Sequence, residues 1–573
     1  MLQISLFLII AALLVLPMGK YLYHIATEQH TFADKLLDPV DNFIYKLCGI
    51  DNKEMGWKKY TLSMLLTNAV MVLVGYFILR IQSLPILNPN HIAGMEPSLA
   101  FNTIISFMTN TNLQHYAGES GLSYLSQLLV ITFMMFTSAA TGFSVAMAFI
   151  RGLAGKNKTM GNFYRDLIRI ITRVLLPLSL IGGLLLISQG VPQNLLSNIT
   201  VQTIEGKFQD IAMGPVASLE IIKHLGTNGG GFFGANSTTP FENPNIISNM
   251  IEMLSMILLP ASVVIAFGYM VRDRKKRVSK SKKQNLFWIG NEAKPLLSVM
   301  IILFLMGLIV CVIAEKGGNP LLEKVGLSQA MGNMEGKELR FGIDQSALFT
   351  SVTTAFTSGS VNNMHDSLSP LGGMVALFNM MLNLVFGGKG VGVMNIILYV
   401  IMTVFICGLM IGKTPEYLGK KVEGKEMKLA ALGIIIHPFL ILSFTAIAVS
   451  CTAGLSGISN PGYHGLTQIL YEFTSSSANN GSGFEGLADN SHFWNITTGI
   501  VMFFGRYLTI IIQLAIAGSL LIKSQVNESI GTLRTDTKTF SMSLFMIIML
   551  IAALTFFPAL ILGPIAEHLS LWS

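Results

Sequence analysis

The sequence predicts an all-α integral membrane protein of about ten spanning helices, in which four pseudo-symmetric helix, pore-loop, helix repeats surround one pore and an extra helix stands at each end. Three observations predict it. Apolar residues make up 51% of the 573 and charged residues only 12%, against roughly a quarter charged in soluble domains, so there is too little polar surface to cover a water-soluble globule. Apolar runs of about 20 residues recur from end to end and leave no long polar segment, so 1–573 reads as one membrane domain. Between the runs a short polar tripeptide ending in Gly or Asn appears four times: Asn110-Thr111-Asn112, Thr227-Asn228-Gly229, Thr357-Ser358-Gly359 and Asn479-Asn480-Gly481.

The first run, Leu2 to about Met18, lacks the basic n-region and small-residue cleavage site of a signal peptide and is expected to be a retained helix. With the loop behind it, it fills residues 1–60, and Lys20, Lys35, Lys46, Lys53, Lys58 and Lys59 place that loop inside and the N-terminus outside. Repeat 1 follows at 61–150 with spans near 61–81 and 123–150, and repeat 2 at 166–270 with spans near 166–189 and 246–270. Repeat 3 covers 293–412 with spans near 293–314 and 374–412, and repeat 4 covers 429–522 with spans near 429–450 and 492–522. A last helix at 540–564 leaves the C-terminus outside too. Every second loop is basic, from Arg151 to Arg173, Arg272 to Lys283, Lys413 to Lys428 and Lys523 to Lys538, so one topology satisfies the positive-inside rule throughout. The net charge of +7 is thus read as topogenic loops near anionic lipid, or a partner's docking loop at Arg272, and not as a nucleic-acid surface. Cys48, Cys311, Cys407 and Cys451 form no close pair, which excludes a disulfide framework or zinc motif.

Each outside connection holds a helix too short to span, then the tripeptide: Pro97 to Thr109, Val216 to Gly226, Asp344 to Phe356 and Leu466 to Ser477. Non-helical backbone at membrane depth is tolerated only where protein buries it or a water-filled cavity takes it. Backbone carbonyls with Thr, Ser or Asn side chains make an oxygen cage for a dehydrated monovalent cation without a fixed charge that would hold it too tightly. Glycine lets carbonyls turn inward, and Asn112, standing where the other loops have Gly229, Gly359 and Gly481, tolerates left-handed backbone better than most residues. One such tripeptide is a common turn; four at equivalent places read as one selectivity filter.

Downstream of each tripeptide comes an acidic residue, Glu119, Glu242, Asp366 or Glu485, either a carboxylate ring that concentrates cations at an outer mouth or ordinary solvated loop charges. Arg506 lies mid-span, where a charge needs a cavity or partner, and below a cation filter it would repel ions going straight through. Gly387, Gly388, Lys389, Gly390 and Gly392 interrupt the 374–412 span, giving a gate loop or a kink from which Lys389 snorkels. Catalytic and cofactor signatures are absent: the Walker-like Gly408 to Thr414 stretch is one residue short and closes a span, and His224 and His437 stand alone.

The stretches Ser106 to Gln114, Gly226 to Phe233, Pro240 to Pro244, Met364 to Ser367, Lys413 to Lys421 and Ala478 to Ser482 resemble the KdpA family, the potassium-binding and translocating subunits of bacterial Kdp ATPases, over essentially the full length. The resemblance implies a member of the superfamily of potassium transporters, in the bacterial plasma membrane, that binds external K+ at the tripeptides while a P-type ATPase subunit, KdpB, hydrolyses ATP, with KdpC and KdpF completing the complex. It implies that K+ leaves sideways beneath the filter through an intersubunit tunnel, that Arg506 is the basic residue below the filter, and that Gln114 tunes affinity. Ser358 stands where some members have cysteine and Asn383 where others carry an acid. A stand-alone potassium channel or secondary symporter is the alternative, the latter calling for a buried carboxylate such as Glu252.

Overall fold

The computed structural model describes residues 2–155, 159–275, 289–526 and 532–572. Among these, ten helices are long and apolar enough to cross a membrane. Helix α1 (Leu2–Ala26) runs two turns past the expected end, carrying Lys20 within it. It lies along α8, defined below, the most extensive helix pairing in the molecule. The loop behind it folds into the amphipathic α2 (Asp34–Leu47). Sequence periodicity over so short a segment gave no warning of how α2 is held: Arg173, itself buried, pairs with Asp34, Asp38 and Asp41 along one face of α2.

Repeat 1 is α3 (Trp57–Ile81), the short α4 (Pro97–Met108) and α5 (Tyr124–Ala154). Repeat 2 is α6 (Phe163–Ser188), α7 (Val216–Leu225) and α8 (Ile246–Lys275). A two-stranded antiparallel ribbon, β1 (Ile199–Gln202) and β2 (Phe208–Ile211), fills the connection ahead of α7. Repeat 3 is α9 (Ala293–Lys316), α10 (Gly342–Ala355), α11 (Pro370–Leu382) and α12 (Val391–Ile411); the last two replace the expected 374–412 span, broken at the glycine-rich stretch. Repeat 4 is α13 (Gly424–Val449), α14 (Tyr463–Ala478) and α15 (His492–Ile522). A final helix, α16 (Lys538–Trp572), packs on α9 and α12. The basic stretch expected from Arg272 to Lys283 falls outside the residues with described side chains, and part of the Lys523 to Lys538 loop is likewise outside them.

The short helices α4, α7, α10 and α14 are enclosed by the long ones. From Gln345 to Ala355 every residue of α10 is buried, Ser346, Thr350, Ser351, Thr353 and Thr354 included. Two of these hydroxyls bond preceding carbonyls of the same helix, Ser351 on the Ala347 oxygen (2.8 Å) and Thr354 on the Thr350 oxygen (2.7 Å). The long helices carry the lipid-facing leucines and phenylalanines, for example Leu66, Leu73 and Phe77 on α3.

Candidate functional site

All four short helices end in the same way, and the tripeptides are the ending. The first residue of each adopts left-handed backbone: Asn110 (φ 62), Thr227 (φ 48), Thr357 (φ 50) and Asn479 (φ 54). The second residue's N–H then reaches back across the turn, from Thr111 to the Ser106 oxygen (2.9 Å), Asn228 to Lys223 (2.8 Å), Ser358 to Thr353 (2.8 Å) and Asn480 to Ser475 (2.9 Å). This is the Schellman C-cap, whose left-handed position glycine usually fills. A threonine there is an outlier, because a β-branched side chain in this region costs about 1–2 kcal/mol. Strain of that size persists only where the surroundings hold it, and here the Thr227 hydroxyl donates to the Gly226 oxygen (2.8 Å) and that of Thr357 to Asn383 Oδ1 (3.5 Å). The helix C-termini also bring the negative ends of four macrodipoles to one place, which favours a cation.

The tripeptides converge although they lie up to 368 residues apart in sequence. Asn110 donates to the Thr227 oxygen (2.9 Å), Gly229 to the Thr111 oxygen (3.2 Å), Ser358 to the Asn228 oxygen (3.3 Å), and Asn479 to Thr111 Oγ1 (3.0 Å). Glycine is required at the third positions by contact: a Cβ on Gly359 would strike the Asn480 carbonyl, one on Gly481 the Thr111 oxygen, and one on Gly229 would lie 2.7 Å from the Gly481 Cα. Asn112, Gly359 and Gly481 share positive φ (58, 90 and 102), but in the second repeat that conformation falls on Gly230 (φ 71) instead of Gly229. All twelve residues except Asn479, at 4%, and Thr357, at 1%, are fully buried or are glycines within this cluster. The amides of Asn112 and Asn228 make no hydrogen bond among the described residues, so oxygen and nitrogen groups remain there for a ligand to satisfy.

Outside the tripeptides, Gln114 clamps the first loop to the second, accepting from Gly231 N (2.8 Å) and donating to Gly231 O (3.0 Å). The four acidic residues are unlike one another. Glu242 is buried and accepts from the backbone N–H groups of Phe232 (2.7 Å), Phe233 (3.2 Å) and Ser237 (3.2 Å). Glu119 accepts from Gly234 N (2.8 Å), and Glu485 from His365 N (3.1 Å) and Asp366 N (3.3 Å). Asp366 pairs with His464 (3.0 Å), which also meets Glu567 (2.8 Å). Three of the four thus tie down backbone next to a tripeptide and one holds an ion pair. His115, behind the first loop, faces Asn495 Oδ1 (2.7 Å) and Glu472 Oε1 (3.3 Å). Burial alone would lower this ring, but Asp489, Glu472 and Asn495 outweigh it and raise it to about 9.

Beneath the tripeptides lies the 383–390 loop. Asn383 caps α11 in left-handed backbone (φ 47) and donates to the Ala478 oxygen (3.5 Å) while Thr357 donates to its Oδ1 (3.5 Å). Lys389 does not snorkel: it is 1% exposed, and its Nζ donates to the carbonyl oxygens of Asn110 (3.0 Å) and Asn479 (2.7 Å). Arg506 is buried next to it, donates to the Ser138 oxygen (3.4 Å), and leaves Nη1 without a partner among the described residues. Asn383, Asn395, His437, Asn479, Arg506 and Gln513 share a cavity of about 40 Å³ on this lower side.

One cluster went unseen in the sequence. On α7, Glu220 and Lys223 pair at 2.7 Å, fully buried, and His224, alone in sequence, lies 3.5 Å from the buried Glu252 of α8. The signal available was an i, i+3 charge pair on a helix too short to span, but periodicity could not bring α8 alongside.

The chain matches the family model KdpA, potassium-transporting ATPase A subunit, over residues 5–569. It is 57% identical over 571 residues to the potassium-transporting ATPase potassium-binding subunit of Clostridium acetobutylicum, covering 100% of both chains. To the subunit of that name from Geobacillus kaustophilus it is 54% identical over 570 residues, covering 99% of each. Among solved structures it is similar to the potassium transporter TrkH from Vibrio parahaemolyticus at TM-score 0.46 and 15% identity, over 89% of this chain and 97% of that one, a likeness too loose to carry an argument. Matched along its whole length, the chain belongs to the KdpA family of potassium-transporting ATPase A subunits.

Proposed function

We propose that this chain binds K+ from outside in a selectivity filter made of the four tripeptides and passes it inward as the channel-like subunit of an ATP-driven importer. The observation that carries the reading is the convergence of four Schellman-capped helix ends on one buried cluster of carbonyls and hydroxyls. Carbonyl oxygens suit a dehydrated K+ because they replace its water without fixing it. The chain itself is non-catalytic in this reading. Its relatives are named as subunits of a potassium-transporting ATPase, and ATP hydrolysis is assigned to a KdpB-type partner, with KdpC and KdpF as further subunits. The alternation of basic loops supports an arrangement with both termini outside the bacterial plasma membrane. Arg506 is the electrostatic barrier under the filter, and the 387–392 loop closes it from below. The cavity beside Asn383 and Arg506 is the start of the sideways exit.

A secondary symporter is favoured by one observation, the fully buried Glu252 beside His224. Liposomes with the assembled complex separate the readings. Rubidium-86 uptake that requires ATP and is lost with Gly229→Asp supports the pump subunit. Uptake by this chain alone, driven by a proton gradient and abolished by Glu252→Gln, would overturn it.

A further inference from the structure

We infer that Lys389 is a tethered cation that occupies the lowest oxygen ring of the filter, and that K+ enters this ring only when the lysine withdraws. The inference rests on the filter reading above and names the group that closes it from below. Its ground is geometry. The loop from Phe386 to Gly392 touches the lower ends of all four repeats: Lys389 Nζ donates to Asn110 and Asn479, the first tripeptide residues of repeats 1 and 4. A Cβ on Gly388 would lie 2.5 Å from Thr227 Oγ1 and 2.9 Å from the Thr357 oxygen, the corresponding residues of repeats 2 and 3.

Phe386, Gly387, Lys389 and Gly390 all adopt positive φ (63, 57, 46 and 82). Glycines flank Lys389 on both sides, yet the loop holds a long side chain in left-handed backbone where glycine would be unstrained. That strain is maintained where the amino group is needed. An alkylammonium head and K+ are close in size, and both are satisfied by carbonyl oxygens alone, so the lowest ring accepts either one. Room is made on the other side by Gly142 of α5, whose missing Cβ would lie 2.8 Å from both Lys389 Cβ and Arg506 Nη2. The Lys389 stem is thereby wedged between α5 and the filter, its head bonded to two of the ring's four oxygens. Withdrawal of the head into the space by Arg506 is opposed by that guanidinium, so the resting position is the plugged one.

The test counts ions. In the assembled complex, equilibrium binding of rubidium-86 should rise by about one ion per complex in Lys389→Met, and the K+ concentration for half-maximal ATP hydrolysis should fall several-fold. Lys389→Ala, which leaves space for a free amine, should behave like Lys389→Met until methylammonium is added, which should return ion count and K+ dependence toward wild type. Methylammonium should leave the wild type unchanged. Unaltered ion number and K+ dependence in both variants, with wild type binding rubidium saturably, would overturn the tethered cation and leave the filter intact. Absence of saturable rubidium binding to the wild type would overturn the filter reading and this inference with it.

Discussion

Gly359 and Asn480 meet across the centre of the molecule, 121 positions apart in sequence: a Cβ placed on the glycine would fall on the asparagine's carbonyl group. In the proposed filter that carbonyl belongs to the oxygen cage, and its direction depends on the opposing residue having no side chain. Gly359 also sits at φ 90, which an L-residue adopts at a cost of about 1–2 kcal/mol. Gly359→Ala should therefore weaken K+ activation of ATP hydrolysis at least about tenfold, the equivalent of about 1.4 kcal/mol. Gly342, at φ 64 with nothing within 4 Å of its missing Cβ, is the control. Gly342→Ala should lower the melting temperature slightly and leave K+ activation unchanged.

In the proposed filter Gln114 should act by position more than by charge. Its amide spans Gly231 N and Gly231 O and so fixes where the second loop leaves its tripeptide. Gln114→Leu, similar in bulk but without the amide, should raise the K+ concentration for half-maximal ATP hydrolysis several-fold with little change in maximal rate. Gln114→Arg should raise it further, since it adds a positive charge beside the same loops. If Leu were silent and only Arg weakened K+, charge and not bracing would be the mechanism.

How much of this could be read from the chain is seen by comparing Asn110 with Lys389. Asn110 ends an apolar short helix, and the same ending recurs three more times, so its place in a repeated pore loop is legible from spacing. Lys389 is legible only as a lysine among glycines. Its partners lie 279 and 90 residues away, and a snorkelling lysine has the same sequence pattern. Register inside the second tripeptide was hidden for a related reason: Gly229, Gly230 and Gly231 have no side chains to mark which one turns left-handed, and the structure gives that to Gly230. The acidic residues after each loop were visible as a set, but the backbone N–H groups that Glu119, Glu242 and Glu485 meet, and the His464 that Asp366 meets, depend on loop paths that composition does not encode.

His464 offers a titration. It lies between Asp366 and Glu567, joining the loop behind the third tripeptide to the end of α16. Burial opposes its protonation, but its hydrogen bonds to the Asp366 and Glu567 carboxylates outweigh that and raise it to about 9 from 6.5. A folded-state value above the unfolded one stabilises the protein fully below about pH 6.5, and this contribution is lost as pH rises through about 9. The wild-type melting temperature should fall between pH 6.5 and 9 more steeply than that of His464→Gln, measured in the same detergent. Parallel slopes would show that this bridge does not hold α16 to the pore loops.

The remaining prediction concerns Arg506, and it separates pump subunit from channel. The guanidinium lies below the tripeptides with Nη1 unpartnered among the described residues, beside the same loop that carries Lys389. A K+ about 4 Å from it would be repelled by about 4 kcal/mol at an effective dielectric near 20, which suppresses straight passage roughly a thousandfold. On the proposed reading, an ion that has displaced Lys389 must then turn toward the cavity beside Asn383 instead of continuing downward. Arg506→Met removes that repulsion while keeping a long apolar side chain. In liposomes the variant complex should pass K+ down its gradient without ATP, while the unmodified complex moves K+ only with ATP. Lys389→Met alone should stay leak-free, because Arg506 still blocks the straight route. A leak in Lys389→Met with a tight Arg506→Met would exchange the two roles, making the lysine the barrier to flow and the arginine a support for its loop.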